Sequence, residues 1–251
     1  MQKALIVSPH LDDAIFSLGG FILNNCVFRL IVLNVFTISR YTVAAVGDPQ
    51  QVTGTRLLEE SEASRRLNFV SLICEFPDAS LRSQYKDEVD YLNVEADPKE
   101  DDLWEAVKAT VEGVIGSDDY AVLFFPLALG HQIDHRILFE IGKKLLSQGL
   151  PVLFYEDAGY DAACQEDLIN EHVARSGLDI SRLRFEYINP EAKLEYVKLY
   201  RTQVDENVLT NIAATVKRQR GETIWAKDKL IKELMLMRRY SPQTYQLHRR
   251  I

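Results

Sequence analysis

The 251-residue sequence has few cysteines and no long apolar run, and each absence narrows the class of protein. The three cysteines, Cys26, Cys74 and Cys164, are widely spaced and form no C-x-x-C pair. Neither a disulfide framework nor a cysteine zinc knuckle is therefore expected, and a reducing compartment such as the cytoplasm suits them. No stretch approaches eighteen consecutive apolar residues, so the sequence predicts no membrane-spanning helix. The apolar run at 4–7 leads into His10 without a cleavage site of small residues, which favours a first strand over a signal peptide.

The sequence also lacks an excess of positive charge. With 29 Lys and Arg against 37 Asp and Glu, the formal net charge is -8, which argues against general nucleic-acid binding through phosphates. Hydrophobic residues make up 47% and charged residues 26%, as in an ordinary globular enzyme. No Pro/Gly/Ser-rich linker and no internal repeat divides the chain, so we expect one domain over residues 1–251. The oligomeric state is left open, and a homo-oligomer is compatible with the sequence.

Strand-like and helix-like segments alternate along the first two thirds of the chain. Apolar runs rich in β-branched residues are found at 4–7, 30–36, 70–75, 121–125 and 152–155. Apolar residues at three-to-four spacing predict helices at 13–23, 55–67, 102–115 and 135–146. This alternation predicts an α/β, Rossmann-like three-layer sandwich with a mainly parallel sheet.

Two further segments fall outside that alternation. From Pro190 onward we expect a helical C-terminal extension, with helices at 191–202, 207–218 and 223–237. The irregular segment 37–54 is predicted to be a loop over the site.

Histidine and aspartate are concentrated at two predicted strand ends. The first cluster, SPHLDD at positions 8–13, directly follows the first strand, and the second, GHQIDH at positions 130–135, follows the fourth. In open α/β sheets, ligands bind at the carboxyl ends of the strands. Imidazole and carboxylate are zinc ligands, and a catalytic zinc takes three protein ligands plus an open position for water. The two clusters predict a metal centre if their strands are neighbours.

An alternative interpretation gives the aspartates a structural role. Asp12 or Asp13 would cap the helix after the first cluster, and Asp134 would cap the helix after the second. Capping is compatible with metal binding, and it leaves the histidines of both clusters unexplained.

The sequence resembles the LmbE-like (PIG-L) de-N-acetylases, zinc enzymes whose members deacetylate N-acetylglucosamine conjugates. Their AHPDDE motif occurs here as PHLDDA at positions 9–14, and their H-x-D-H motif occurs around Asp134 and His135. Further matches follow in the family's order over most of the chain: R-x2-E-x3-A at Arg56, Glu59 and Ala63; D-x2-LR at Asp78, Leu81 and Arg82; Tyr155-Glu156-Asp157 after the fifth strand; K…Y-x2-Q at Lys193, Tyr200 and Gln203; and E-x2-W at Glu222 and Trp225.

The resemblance implies roles for the residues that match its motifs. His10, Asp13 and His135 would bind the metal, which is zinc in the family, although ferrous iron suits the same ligand set. Asp12 would be the general base that activates water for attack on the amide. Asp134 would lie behind the metal ligands.

Three positions depart from the family's pattern. Leu11 replaces the usual proline and Ala14 the usual glutamate. The family's oxyanion-stabilising histidine lies three residues before the ligand histidine, a position occupied here by Gln132. Either the loop bulges so that His131 reaches the site, or the amide of Gln132 donates instead. We favour His131, because a protonated imidazole is the stronger donor.

Substrate contacts are expected from three residues. Arg56 and Asp78 match family residues that face the sugar, and Gln132 would complete the set. As alternatives, Arg56 would pair with a glutamate of its own helix, and Asp78 would be a turn residue. Residues 155–157, at another strand end, are weaker candidates for contact with the ligand.

Together these features predict a zinc-dependent hydrolase that removes an N-acetyl or other acyl group from an amino sugar or related small-molecule glycoside. One alternative is a metal-dependent phosphoesterase, which often needs two metals and more carboxylates than the clusters supply. Another is a non-catalytic Rossmann-like binding module, although the first strand is not followed by G-x-G-x-x-G. Because Ala14 and Gln132 depart from the family's pattern, a third alternative is that the activity has decayed or shifted. The expected metal ligands and Asp12 are all present, so we expect the protein to be active.

Overall fold

The structure is a computed structural model, and it describes residues 1–43, 47–159, 166–186 and 189–239. Its strands are β1 (Gln2–Ser8), β2 (Phe28–Ile38), β3 (Val70–Pro77), β4 (Tyr120–Pro126), β5 (Val152–Tyr155), β6 (Ser181–Glu186) and β7 (Gly221–Ala226). They form a seven-stranded sheet in the order β3-β2-β1-β4-β5-β7-β6. Strands β1 to β5 are parallel, β7 is antiparallel to β5, and β6 is antiparallel to β7. The predicted α/β class with a mainly parallel sheet is confirmed.

The helices cover both faces of this sheet. They are α1 (Asp13–Leu23), α2 (Pro49–Leu67), α3 (Glu88–Tyr91), α4 (Trp104–Gly116), α5 (Ile133–Ser147), α6 (Glu166–Arg175), α7 (Pro190–Val197), α8 (Glu206–Gln219) and α9 (Asp228–Arg239). Among the described residues, none of these helices is both long and apolar enough to cross a membrane.

Strand β1 shows why the central strands read as continuous apolar runs. Ala4 and Ile6 pack into the core on one face of the sheet, while Leu5 and Val7 pack into the core on the other. All four side chains are fully buried. A parallel strand buried on both faces needs apolar residues at every position, which removes the alternation typical of a half-exposed strand.

Two predicted boundaries were wrong. Helix α2 begins at Pro49, inside the segment 37–54 that was predicted to be a loop, because Asp48 caps it by accepting from the Gln51 N–H at 3.0 Å. Proline at the first helical position adds a preset backbone angle. The predicted helix 223–237 begins only at Asp228, and its first residues belong to β7. The C-terminal region is therefore helical except for a strand inserted between β5 and β6.

The order of the strands explains the position of the two clusters. Chain order reverses between β1 and β4, which are parallel neighbours. Such a switch point opens a crevice at the carboxyl edge of an α/β sheet. The loop after β1 carries the first cluster and the loop after β4 carries the second, so both loops lie at this crevice.

Candidate active site

His10 is held in a fixed orientation two residues after β1. Its Nδ1 lies 3.0 Å from Asp13 Oδ2, and its Nε2 lies 3.0 Å from Asp134 Oδ2. Its backbone N–H also donates to Asp13 Oδ2 at 2.9 Å. The Ser8 hydroxyl donates to the carbonyl of His10 and accepts from the Ala14 N–H, which closes the turn between β1 and α1.

His135, in the first turn of α5, faces the same carboxylate. Its Nε2 lies 3.3 Å from Asp13 Oδ2, and its Nδ1 lies 2.6 Å from Asp157 Oδ1. The ring centroids of His10 and His135 are 5.4 Å apart. The structure thus brings the two sequence clusters together.

These residues fit a single divalent cation. The ligand atoms of His10, Asp13 and His135 all lie within 4.8 Å of one another. Neighbouring ligand atoms on one zinc are about 3.3 Å apart by its bond lengths, close to the separations from Asp13 Oδ2 given above. The second nitrogen of each imidazole contacts another carboxylate: His10 Nε2 contacts Asp134, and His135 Nδ1 contacts Asp157. In metal sites such a contact fixes the tautomer and the orientation of a ligand histidine.

The charges in this cluster favour cationic imidazoles. Burial by itself lowers the pKa of His10, but the hydrogen bonds and charges of Asp13 and Asp134 outweigh it and raise that pKa to about 9. The pKa of His135 is likewise raised by Asp13 and Asp157 against the effect of burial. The pKa of Asp13 is held well below its usual range by the two imidazoles, although burial acts in the opposite direction. A metal ion would replace positive charge that protons supply here.

Asp134 positions His10 and does not face the cavity. Besides His10, its Oδ2 accepts from the Ala79 N–H and from Gln132 Nε2, both at 3.0 Å. Its Oδ1 lies 2.6 Å from Arg82 Nη2. The predicted alternative that Asp134 caps α5 was wrong, because Gln132 Oε1 accepts from the first N–H groups of that helix.

Asp12 is oriented by Arg56 from α2. Arg56 Nη2 donates to Asp12 Oδ1 at 3.0 Å, and both side chains are buried. Asp12 stands at the N-cap position of α1 without forming a side-chain cap bond. Burial and the charge of Asp13 raise the pKa of Asp12, and the charges of Arg56 and His10 act against this.

The alternative given for Arg56, a pair with a glutamate of its own helix, differs from the observed pair with Asp12. Glu59 accepts from Thr202, and Glu60 accepts from Tyr200. These glutamates anchor α2 to the C-terminal region, which leaves Asp12 as the partner of Arg56.

A cavity of about 370 Å³ opens beside these side chains. It is lined by His10, Asp12, Asp13, Arg56, Asp78 and Gln132, all of which the sequence had singled out. Asp78 lines the cavity, and its Oδ1 accepts from the Ser80 N–H and hydroxyl, as in the turn role given as the alternative. Its contact with substrate stays a prediction. Apolar side chains, among them Phe16, Val208 and Ile212, complete part of the wall.

His131 is not among the described residues that line this cavity. Its side chain is exposed, and its ring lies beside that of His172, with centroids 5.8 Å apart. The loop does contain the expected irregularity, since His131 has left-handed backbone (φ 60°), but the turn does not bring the ring to the cavity. Gln132, which was the alternative donor, does line the cavity. His172, predicted to be uninvolved, contacts the Leu127 carbonyl at 2.9 Å.

Several residues of the site had been given no role, or a different role, from the sequence. Arg82 contacts Asp134, and Asp157 contacts His135. The cavity is also lined by Tyr41, Glu88, Tyr91 and Gln203. Tyr41 lies in the segment predicted to cover the site. Nothing in its local pattern marks Glu88, because its position depends on the long connection between β3 and α4. His248 and Cys164 lie outside the described residues.

No protein-family model matches the sequence. A 2'-N-acetylparomamine deacetylase from Niallia circulans is 30% identical over 188 residues, which cover 62% of this chain and 66% of the relative. Another 2'-N-acetylparomamine deacetylase, from Streptomyces fradiae, is 29% identical over 177 residues, which cover 67% of this chain and 60% of the relative. The chain thus spans somewhat less than two thirds of the length of these relatives.

The fold also resembles that of a solved structure, the zinc-inhibited form of teicoplanin deacetylase Orf2. The TM-score is 0.64, with 19% sequence identity over 89% of this chain and 97% of that chain. At this level of identity the likeness concerns the fold.

Proposed function

We propose that the chain is a metal-dependent hydrolase of the LmbE-like (PIG-L) family that removes the acetyl group from the nitrogen of an N-acetylated amino sugar. The observation that carries this proposal is the convergence of His10 and His135 on Asp13, beside a cavity that Asp12 also lines. The named activity of the two relatives supports the reaction, and the sugar substrate is carried over from them as part of the proposal.

Three side chains would hold the metal: His10 through Nδ1, His135 through Nε2 and Asp13 through Oδ2. A bound divalent ion polarises an amide carbonyl and lowers the pKa of its bound water towards about 7. We propose zinc as the native ion, and ferrous iron suits the same ligands. The teicoplanin deacetylase with the similar fold has a zinc-inhibited form, so metal identity has to be measured together with activity.

Asp12 is the proposed proton carrier. It lines the cavity next to the three ligands without belonging to the group whose ligand atoms converge. Asp12 would take a proton from the attacking water and return it to the nitrogen as the C–N bond breaks, so that the products are acetate and a free amine. Arg56 fixes the direction of the Asp12 carboxylate.

Gln132 is the proposed donor to the oxyanion, in place of His131. Its amide nitrogen carries two hydrogens, and the contact with Asp134 uses one of them. The side chain is fixed at both ends, because its oxygen accepts from the backbone at the start of α5. One oriented donor of this kind is worth roughly 3–4 kcal/mol in comparable sites.

The wider setting of the reaction is also proposed. Residues 1–251 would act as one domain, since the strands of the described residues share one sheet. The small number of cysteines supports a cytoplasmic location. The partner would be a small-molecule glycoside and not a nucleic acid, given the net charge of -8.

The experiment is an amine-release screen over N-acetylated amino sugars and their glycosides. Metal-stripped protein should be inactive, and reloading with one equivalent of Zn²⁺ or, without oxygen, Fe²⁺ should restore release of equal amounts of acetate and amine. The His10→Ala variant treated in the same way is the control and should stay inactive. Full activity of the metal-stripped protein, or of His10→Ala, would contradict the proposal.

A further inference from the structure

A line of buried charges runs from the candidate metal ligands to Asp101, in the connection between β3 and α4. Arg82 Nη2 lies 2.6 Å from Asp134 Oδ1 and 3.2 Å from Asp101 Oδ2. Both Arg82 and Asp101 are buried. The other oxygen of Asp134 lies 3.0 Å from His10 Nε2. Successive contacts therefore connect Asp101 to a proposed ligand of the metal.

Carboxylates and basic side chains alternate along this line and through the candidate site. The members of the series, in order of contact, are Asp101, Arg82, Asp134, His10, Asp13, His135 and Asp157. A buried charge is costly unless an opposite charge lies against it. Asp157 stands at one end of the series, next to a proposed ligand, and Asp101 stands at the other end, two contacts further from its ligand.

Asp101 shares the positive charge of Arg82 with Asp134. Burial lowers the pKa of Arg82, but the charges of Asp134 and Asp101 outweigh it and raise that pKa, so the guanidinium is cationic. If Asp101 were neutral, Asp134 alone would balance this cation. Less of the negative charge of Asp134 would then act on His10 Nε2, and a histidine whose second nitrogen loses its anionic partner is a weaker metal ligand.

Asp101 also fixes the position of Arg82 through an aromatic ring. The guanidinium carbon of Arg82 lies 5.2 Å from the ring centroid of Tyr85. The Tyr85 hydroxyl donates to Asp101 Oδ2 at 2.6 Å, and Gln84 Nε2 donates to the same oxygen at 3.1 Å. Asp101 is itself fixed, because its Oδ1 accepts from the Leu103 N–H at 2.8 Å. The carboxylate therefore holds the arginine both directly and through the ring of Tyr85.

A turn bond by itself does not explain why the charge of Asp101 is buried. The bond to the Leu103 N–H uses Oδ1, whereas Oδ2 faces Arg82. Asp97, in the same connection, forms the same kind of bond, with its Oδ1 accepting from the Lys99 N–H at 2.9 Å, and it is exposed. The local turn thus requires neither burial nor a cationic partner, and the contact with Arg82 needs another explanation.

We propose that Asp101 is a positioning residue for the proposed metal ligand His10. It acts through Arg82 and Asp134: its charge keeps the arginine between two carboxylates and leaves Asp134 able to orient and polarise the imidazole. This inference rests on the proposed function, because it requires that His10 bind the metal.

The first test is the metal affinity of the Asp101→Asn variant. Asparagine keeps an oxygen for the Leu103 N–H and loses the charge. Direct partners of ligand histidines change metal affinity about 10- to 100-fold; Asp101 is two contacts further away, so we expect Zn²⁺ affinity to fall about three- to tenfold. Competition with a chromophoric chelator measures the change. The control is Asp97→Asn, which makes the same substitution in the same connection and should keep the wild-type affinity. Wild-type affinity in Asp101→Asn would overturn the proposal.

A double-mutant cycle tests the route of the effect. Arg82→Met removes the cation between the two carboxylates. In that background Asp101→Asn should lower Zn²⁺ affinity by less than about twofold, because the effect of Asp101 requires Arg82. A loss of the same size in both backgrounds would show that Asp101 does not act through the arginine, and would overturn the proposal.

The visible spectrum of the Co²⁺-loaded protein separates positioning from a purely structural role, and it does not require Arg82→Met to fold. The absorption bands of Co²⁺ depend on the ligands around the ion and on their geometry. Asp101→Asn should therefore shift these bands, whereas Asp97→Asn should not. If Asp101→Asn lowers the melting temperature and leaves the spectrum of the folded, metal-saturated protein unchanged, its role is structural and the proposal is overturned.

The same measurements distinguish failure of this inference from failure of the proposed reaction. If the wild-type protein binds Zn²⁺ but releases no acetate from N-acetylated sugars, the proposed reaction fails, and the affinity and spectrum of Asp101→Asn still decide its role. If the wild-type protein releases acetate and Asp101→Asn keeps its affinity and spectrum, only the role of Asp101 is overturned. A wild-type protein that binds neither Zn²⁺ nor Co²⁺ would overturn both.

Discussion

Asp157 Oδ1 lies 2.6 Å from Nδ1 of His135, and this contact determines which nitrogen of the imidazole faces Asp13. The other oxygen of Asp157 accepts from the Leu129 N–H at 3.2 Å, so the carboxylate is itself held in place. With Nδ1 donating to Asp157, Nε2 is the nitrogen that would give up its proton and offer a lone pair when a metal binds. Asp157, two residues after β5, therefore orients His135, the proposed metal ligand on α5.

Removing the charge of Asp157 should weaken metal binding. The Asp157→Asn variant keeps an oxygen for His135 Nδ1 but loses its charge, and we expect metal affinity to fall about 10- to 100-fold, as for other residues behind metal ligands. Competition with a chromophoric chelator measures the change. The matched control is Glu156→Gln, because Glu156 accepts from Trp225 Nε1 at 2.9 Å and should leave the metal affinity unchanged. Unchanged affinity in Asp157→Asn would show that the contact does not prepare a ligand.

Variants of Asp12 and His10 should separate the loss of catalysis from the loss of metal binding. Asp12→Asn should keep the metal but lose about 10²- to 10⁴-fold in kcat, the usual contribution of a general acid–base group. His10→Ala should lose both the metal and the activity. Metal content by atomic emission and turnover under saturating metal distinguish the two variants. Near-normal turnover in Asp12→Asn would refute its role as the base.

The cationic imidazole of His10 gives the metal-free protein a distinct pH dependence. Its pKa is raised to about 9 by Asp13 and Asp134 against the effect of burial, compared with about 6.5 in an unfolded chain. The stability it contributes is thus fully present below about pH 6.5 and lost as the pH rises through about 9. The melting temperature of metal-stripped protein should fall over this range, and metal affinity should rise because fewer protons must be displaced. His10→Gln should reduce both slopes, and a flat wild-type profile would contradict this account.

The parallel part of the sheet could be predicted because its signal is local. Each central strand is buried on both faces, so its own residues are apolar whatever their neighbours are. Strand β7 could not be predicted, because it contains the buried polar residues Glu222 and Thr223. The carboxylate of Glu222 accepts from the backbone N–H groups of Gly20 and Phe21 at 2.7 and 2.6 Å. Those partners are about two hundred residues away in the sequence.

The candidate site likewise has a part that could be predicted from the sequence and a part that could not. His10, Asp13 and His135 could be found because two short motifs follow strands that proved to be neighbours. The direction of the His131 side chain could not be predicted, because it depends on the path of the loop after β4. That loop has left-handed backbone at Ala128 and His131 (φ 61° and 60°).

His131 and Gln132 can be compared directly. His131→Ala should change kcat/KM by less than about twofold, whereas Gln132→Ala should lower it by about 10²-fold or more if its amide stabilises the oxyanion. Gln132 also caps α5, so its loss should cost roughly 1 kcal/mol of stability, and melting temperatures must accompany the rates. A large loss of activity in His131→Ala, with normal activity in Gln132→Ala, would return the oxyanion role to the histidine.

Arg56 should set the lower pH limit of activity. Burial and the charge of Asp13 raise the pKa of Asp12, and the charge of Arg56 lowers it. Removing that charge in Arg56→Gln should raise the pKa of Asp12 further. A general base must be ionised, so the acidic limb of the kcat/KM profile should move to higher pH, while activity on the alkaline side falls less. The profile is measured with saturating metal, and Arg56→Lys, which keeps the charge, should hold the limb close to its wild-type position. An acidic limb that stays in place in Arg56→Gln would mean that a group other than Asp12 titrates there.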